Sequence, residues 1–126
     1  SAVADADVGE EAREEELSRQ FDREWAATIV QLALQRLEDA SRREGLGPHW
    51  EAFRINIIGP TLWRTAALDQ TTLAKRVGAA DAEQVSNMIQ TMKRKFRRTL
   101  REVIGETVAT PEQVEDELAA LRGYMG

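Results

Sequence analysis

Between Asp81 and Thr107 a single apolar stripe sets what the chain can fold into. Val85, Met88 or Ile89, Met92, Phe96, Leu100 and Ile104 recur at steps of three and four, the period of one face of an α-helix. A strand would need alternation at period two. Asp81 is placed to cap the helix, and Gln84, three residues later, completes a capping box. The spacing predicts a helix from Ala82 to about Thr107. Just upstream, Thr71 to Val77 reads as a short helix with Leu73, Ala74 and Val77 inward. Gly78 supplies the left-handed residue that ends it, and Ala79–Ala80 makes a tight connection. A short helix, a glycine-containing turn and a longer helix form a helix-turn-helix, a motif whose second helix can enter the major groove of DNA.

The rest of the chain is also helical in pattern. From about Glu11 to Glu44, Leu17, Phe21, Trp25, Ile29, Leu32 and Leu37 fall at three- to five-residue steps and are expected to share one face. Gly45 and Gly47 stop this helix, and Pro48 suits the first position of the next. That helix, roughly His49 to Ile58, offers Trp50, Phe53, Ile57 and Ile58 to the core, and Gly59–Pro60 is expected to break it. Leu62, Trp63 and Leu68 follow without a firm pattern. Thr110-Pro111-Glu112-Gln113 opens a last amphipathic helix with Val114, Leu118 and Leu121 on one side. The expected fold is all-α: a helical bundle containing a helix-turn-helix, with a long N-terminal helix and a short C-terminal one. Residues 1–10, small and acidic without periodicity, are expected to be a disordered leader. Residues 11–126 form a single domain, with the helix-turn-helix at about 71–107.

Composition narrows the chemistry. With 126 residues, the chain has room for one modest core. It has no cysteine and one histidine, His49, which leaves no basis for disulfides, thiolate metal sites or imidazole clusters. No apolar run approaches the ~18 residues a membrane span needs, and the first residues lack a basic-then-apolar signal pattern. There is no activated nucleophile and no phosphate-cradling glycine loop. The expectation is a cytoplasmic, non-enzymatic protein without metal, cofactor or small-molecule substrate. Trp25, Trp50 and Trp63 read as core or helix-interface anchors, and Met88 and Met92 as core filler.

Charge is strongly polarised. Residues 1–24 carry nine acids against three arginines, whereas residues 71–101 carry eight bases against Asp81 and Glu83. That window holds a net +6, leaving −11 for the rest of a chain whose total is −5. Within the window, the first turns of the long helix present Gln84, Ser86, Asn87, Gln90 and Thr91, short polar groups able to hydrogen-bond base edges. Lys93, Arg94, Lys95, Arg97 and Arg98 follow, suited to phosphates. The same cations also suit a solvated face complementing the helix dipole. The acidic leader has two readings: a solubilising tail, or a weak intramolecular competitor for the basic helix.

The stretch Val85–Leu118 resembles the C-terminal part of extracytoplasmic-function-type RNA polymerase sigma factors, particularly the group abundant in planctomycetes. The most specific residues are the tail Glu106-Thr107-Val108-Ala109, Pro111, Val114, Glu117 and Leu118, together with FDREWA at Phe21–Ala26. HWEAFR at His49–Arg54 is similar to the first helix of sigma region 4, and LAKRVG at Leu73–Gly78 to the first helix of its helix-turn-helix. The resemblance covers about Phe21 to Leu121. It implies recognition of a −35 promoter element in double-stranded DNA while docked on the β-subunit flap of RNA polymerase core, under the control of an anti-sigma factor in some members. By matching position, base contacts fall to Gln84, Ser86, Asn87, Gln90 and Thr91, and backbone contacts to Thr72, Lys75, Arg76, Arg94 and Arg97. Two stretches depart from the pattern. The turn before Val85 is one residue longer than usual, and INIIGPTLWRTAALDQ (residues 55–70) differs from the usual loop. Nothing resembles region 2, which melts and reads the −10 element.

Two other classes stay open on the same residues. One is a helical protein-interaction module, a degenerate sigma-like domain that binds a regulator or polymerase without reading DNA. The other is a dimeric helix-turn-helix repressor, for which palindromic half-sites would be expected.

Overall fold

The computed structural model describes residues 2–107 and 111–125 and is built of helices, with no strand among them. Helix α1 runs Ala2–Arg43, α2 Gly47–Phe53, a π-helical segment Arg54–Trp63, α3 Gln70–Val77, α4 Ala82–Gly105 and α5 Pro111–Met125. α4 lies at the centre and packs against α1, α2, α3 and α5. The long N-terminal helix and the short C-terminal one have the expected places.

At 42 residues, α1 is about 60 Å long, far longer than the 24-residue α4 on which it rests. It begins at Ala2, so the stretch expected to be a disordered leader is part of the helix. Alanine and glutamate are good helix formers, and acids near a helix N-terminus complement its dipole. The buried face comprises Ala26, Ile29, Val30, Ala33 and Leu37, which differs from the expected stripe. Leu17 and Phe21 are 64% and 68% exposed, at the edge of the body, where Phe21 only borders a hollow beside Thr107 and Glu117. Leu32 is also exposed, because the face centres on the small Ala26 and Ala33. The large apolar side chains alone mark a face rotated away from it. Gly45 ends the helix region in the left-handed conformation (φ 76°), as expected.

The main core joins Ile29, Ala33 and Leu37 of α1 to Trp50 and Phe53 of α2, to Met92, Phe96, Leu100 and Ile104 of α4, and to Leu118 and Leu121 of α5. Phe53 lies between two rings, with centroids 6.2 Å from Trp50 and 5.8 Å from Phe96, within the range of favourable tilted pairs. A second cluster holds the helix-turn-helix: Leu73 and Ala74 of α3 pack on Val85, Met88 and Ile89 of α4, with Ala52 of α2 beneath. Both Met88 and Ile89 are buried, as is the whole expected α4 stripe.

The stretch around Gly59–Pro60 does not break. The chain continues from α2 into the π-helical segment, with Pro60 inside it. Inside an α-helix, proline removes a hydrogen bond and its ring clashes with the carbonyl four residues earlier. The wider π spacing, with bonds to the fifth residue, accommodates it. The segment ends at Arg64 in the left-handed conformation (φ 56°). Trp63, expected as an anchor, is 57% exposed; it falls at the segment's end, beside α1 but not packed into the core. The Thr110 cap expected for α5 lies outside the described residues. The helix itself starts at Pro111, with Val114, Leu118 and Leu121 on its inner side as expected.

Candidate nucleic-acid interface

The helix-turn-helix is built by its caps. Asp69 caps α3: its carboxylate accepts from the Thr72 amide (2.9 Å) and the Thr72 hydroxyl (2.7 Å). These bonds hold the Asp69 carboxyl below its ordinary value, the hydroxyl contributing most. Gly78, at φ 75°, closes α3. Asp81 caps α4 by accepting from the Gln84 amide at 2.8 Å. The Gln84 side chain reaches back one residue further than a standard capping box, accepting from the Ala80 amide at 2.6 Å. The two candidate contacts Gln84 and Thr72 are therefore engaged in holding the turn: the Gln84 carbonyl and the Thr72 hydroxyl each have a partner.

Asn56 was not singled out in the sequence, yet it fixes where α3 begins. Its side chain makes two bonds to the Leu68 backbone, donating to the carbonyl (2.8 Å) and accepting from the amide (2.9 Å). This clamps the loop after the π-helical segment immediately ahead of the Asp69 cap. One polar residue in an apolar run was the only available signal.

On α4 the solvent face carries Asn87, Gln90 and Arg94 at steps of three and four, continuing to Arg101, which pairs with Glu115 at 2.9 Å. Ser86 is exposed on one flank of this ridge. Thr91, half-buried, is on the other, within 3.4 Å of the Arg94 guanidinium. The five cations expected to form one gripping half are divided among three directions. Arg94 stands on the ridge. Lys95 turns towards α1, where it pairs with Glu44 at 3.4 Å, and it shares a hollow there with Arg98. Lys93 and Arg97 turn to the opposite flank, facing α5. Lys75 and Arg76 are exposed at the end of α3. No ion pair engages Lys93, Arg94, Arg97 or Arg98 among the described residues.

Elsewhere the charges act as struts. Arg36 of α1 binds Glu106 at the end of α4 in a bidentate pair (2.6 and 2.8 Å), and this bond holds the Glu106 carboxyl below its ordinary value. Arg54 does the same to Glu51.

Two concavities flank the body. A cavity of about 290 Å³ lies between the π-helical segment, α4 and α5, with Phe53, Ile57, Phe96, Leu100, Leu118 and Leu121 among its lining residues and Lys93, Arg97 and Arg122 as its charged ones. A second, of about 380 Å³, lies between α1 and the exposed Leu62 and Trp63. Among the described residues, no group of three His, Cys, Asp or Glu is arranged to hold a metal ion, and no helix is long and apolar enough to cross a membrane.

The fold and site define a class by architecture: an all-α bundle displaying a helix-turn-helix with a polar, cationic outer ridge. No protein-family profile matches the chain, and neither a curated protein nor a solved structure does.

Proposed function

We propose that the chain is a non-enzymatic DNA-reading domain of the sigma region 4 type, acting in the cytoplasm. Its role would be to recognise a −35-type promoter element while held on the β-subunit flap of RNA polymerase. The observation that carries the reading is the ridge of α4. Asn87 and Gln90 are exposed, free of capping duties, and followed one turn later on the same face by Arg94, which makes no ion pair among the described residues. Asn and Gln can bond an adenine edge bidentately, and arginine suits phosphate or guanine. Ser86 and Thr91 flank the base readers. Lys75, Arg76, Arg97 and, to a lesser degree, Lys93 and Arg98 supply phosphate contacts, while Lys95 contributes least because Glu44 already holds it.

Selection of bound duplexes from a random pool tests the proposal. The expected result is one enriched, non-palindromic motif. Gln90→Ala should relax preference at one or two base pairs, whereas Arg94→Ala should weaken binding to every sequence and lower the salt slope by about one. A palindrome would indicate a dimeric repressor. No retention at all, with flap binding intact, would leave the protein-interaction module.

A further inference from the structure

We propose that the exposed acidic arm of α1 docks, reciprocally, into the cation-rimmed apolar cavity of a second copy of this chain. The arm, residues 8–24, carries seven acids against Arg13, Arg19 and Arg23; Leu17 and Phe21 are largely exposed, Phe21 meeting the body only at a shallow hollow it shares with Thr107 and Glu117. These two, four residues apart, share one face. Following the same stripe in steps of three and four gives Glu10, Glu14, Leu17, Phe21 and Glu24, an apolar pair framed by carboxylates.

The cavity between the π-helical segment, α4 and α5 has the opposite character. Its charged lining residues are Lys93, Arg97 and Arg122, with no acid among them, over an apolar floor that includes Phe96, Leu118 and Leu121. Its volume, about 290 Å³, exceeds the ~150 Å³ that accepts a benzene ring, so a phenylalanine ring and a leucine side chain fit together. An amphipathic helix laid into a groove with its anchors at i and i+4 is a common recognition mode. The chain's own arm cannot reach the cavity without breaking α1, which is continuous from Ala2 to Arg43. Pairing of two arms as a coiled coil is opposed by charge, because Glu10, Glu14 and Glu24 would meet their like along the seam. The oppositely charged partner of the arm is thus on another copy, and reciprocal exchange closes as a two-fold dimer.

The dimer does not rest on the DNA-reading proposal; one consequence of it does. Lys93 and Arg97 belong both to the cavity rim and to the phosphate-contacting set, so an occupied cavity would compete with DNA.

Sedimentation velocity of the full chain without DNA, from micromolar to millimolar concentration, provides the test. The expected mass rises from 14.2 kDa towards twice that value, and the association weakens with salt. Replacing both anchors (Leu17→Glu with Phe21→Glu) touches no core residue and should weaken association by about tenfold or more, as loss of central anchors does. Arg122→Glu, on the rim but outside the DNA-contacting set, should weaken it as well. A mixture of the arm variant with the rim variant should regain association, because one intact arm then meets one intact cavity. A monomer at every concentration overturns the proposal. So does self-association lost in the arm variant but unaffected by Arg122→Glu, which would mean arm-to-arm pairing.

Discussion

Gln84 has one carbonyl oxygen, and its own helix terminus uses it. By accepting from the Ala80 amide, the side chain holds an otherwise orphaned donor at the start of α4. Gln84→Ala should therefore lower unfolding free energy by about 1 kcal/mol. Asn87→Ala and Gln90→Ala, on the open ridge, should each stay within about 0.5 kcal/mol of the parent. Urea denaturation of the three variants distinguishes these roles, and equal small effects would refute the capping assignment. Ser41 presents the opposite case. Its hydroxyl is buried with no hydrogen-bond partner among the described residues, and burying such a group costs free energy. Ser41→Ala should leave stability unchanged or raise it by up to about 1 kcal/mol; a clear loss in the same urea experiment would reveal a bond to that hydroxyl. Both side chains were visible in the sequence, but only the caps were legible there. Asp81 and Gln84 act within four residues of each other, whereas the surroundings of Ser41 come from other helices.

At the scale of elements, the π-helical segment is the largest departure from expectation. Gly59–Pro60 looks like a break because both residues disfavour an α-helix interior, yet the backbone passes through them in a wider coil. Gly59 is needed there by close approach. A Cβ on it would collide with the Thr65 hydroxyl and lie 3.2 Å from the Arg54 carbonyl oxygen. Thr65 can turn aside, but the Arg54 carbonyl is backbone. Gly59→Ala should destabilise by about 1–3 kcal/mol, seen as a lower Tm in a thermal melt; an unchanged Tm would show that the segment relaxes freely. α3 and α4, by contrast, were readable almost to the residue. Their apolar spacing, the Asp81 cap and the left-handed Gly78 are local signals that agree with one another. α1 was only half legible. Its periodicity gave a helix, but which face is buried and where burial stops depend on the length and position of α4.

For the whole molecule, three carboxylates tie the assembly to pH. Asp69 caps α3, Glu51 pairs with Arg54 and Glu106 pairs with Arg36, and each is held below its ordinary value by those bonds. For a carboxylate depressed in the folded state, the stabilising contribution is complete above the ordinary value, near 4. It is lost as pH falls through the lower folded value. Thermal stability should thus be flat in this respect at neutral pH and decline below about pH 4, with Glu106→Gln showing a shallower decline. An identical decline in that variant would remove Glu106 from the account. The sequence by itself determined the all-α class, the helix-turn-helix, its Gly78 and Asp81 ends (though not the Asp69 cap of α3) and the α4 core stripe. All of these arise from periodicity and side-chain-to-backbone bonding within a few residues. The helical period already spreads the cations of α4 around its outer face; the tertiary structure alone decided what each flank meets, α1 and Glu44 for Lys95 and the α5 cavity for Lys93 and Arg97. It alone decided that Leu17 and Phe21 stay largely exposed, because a helix of 42 residues outruns the body, which meets Phe21 only at its edge.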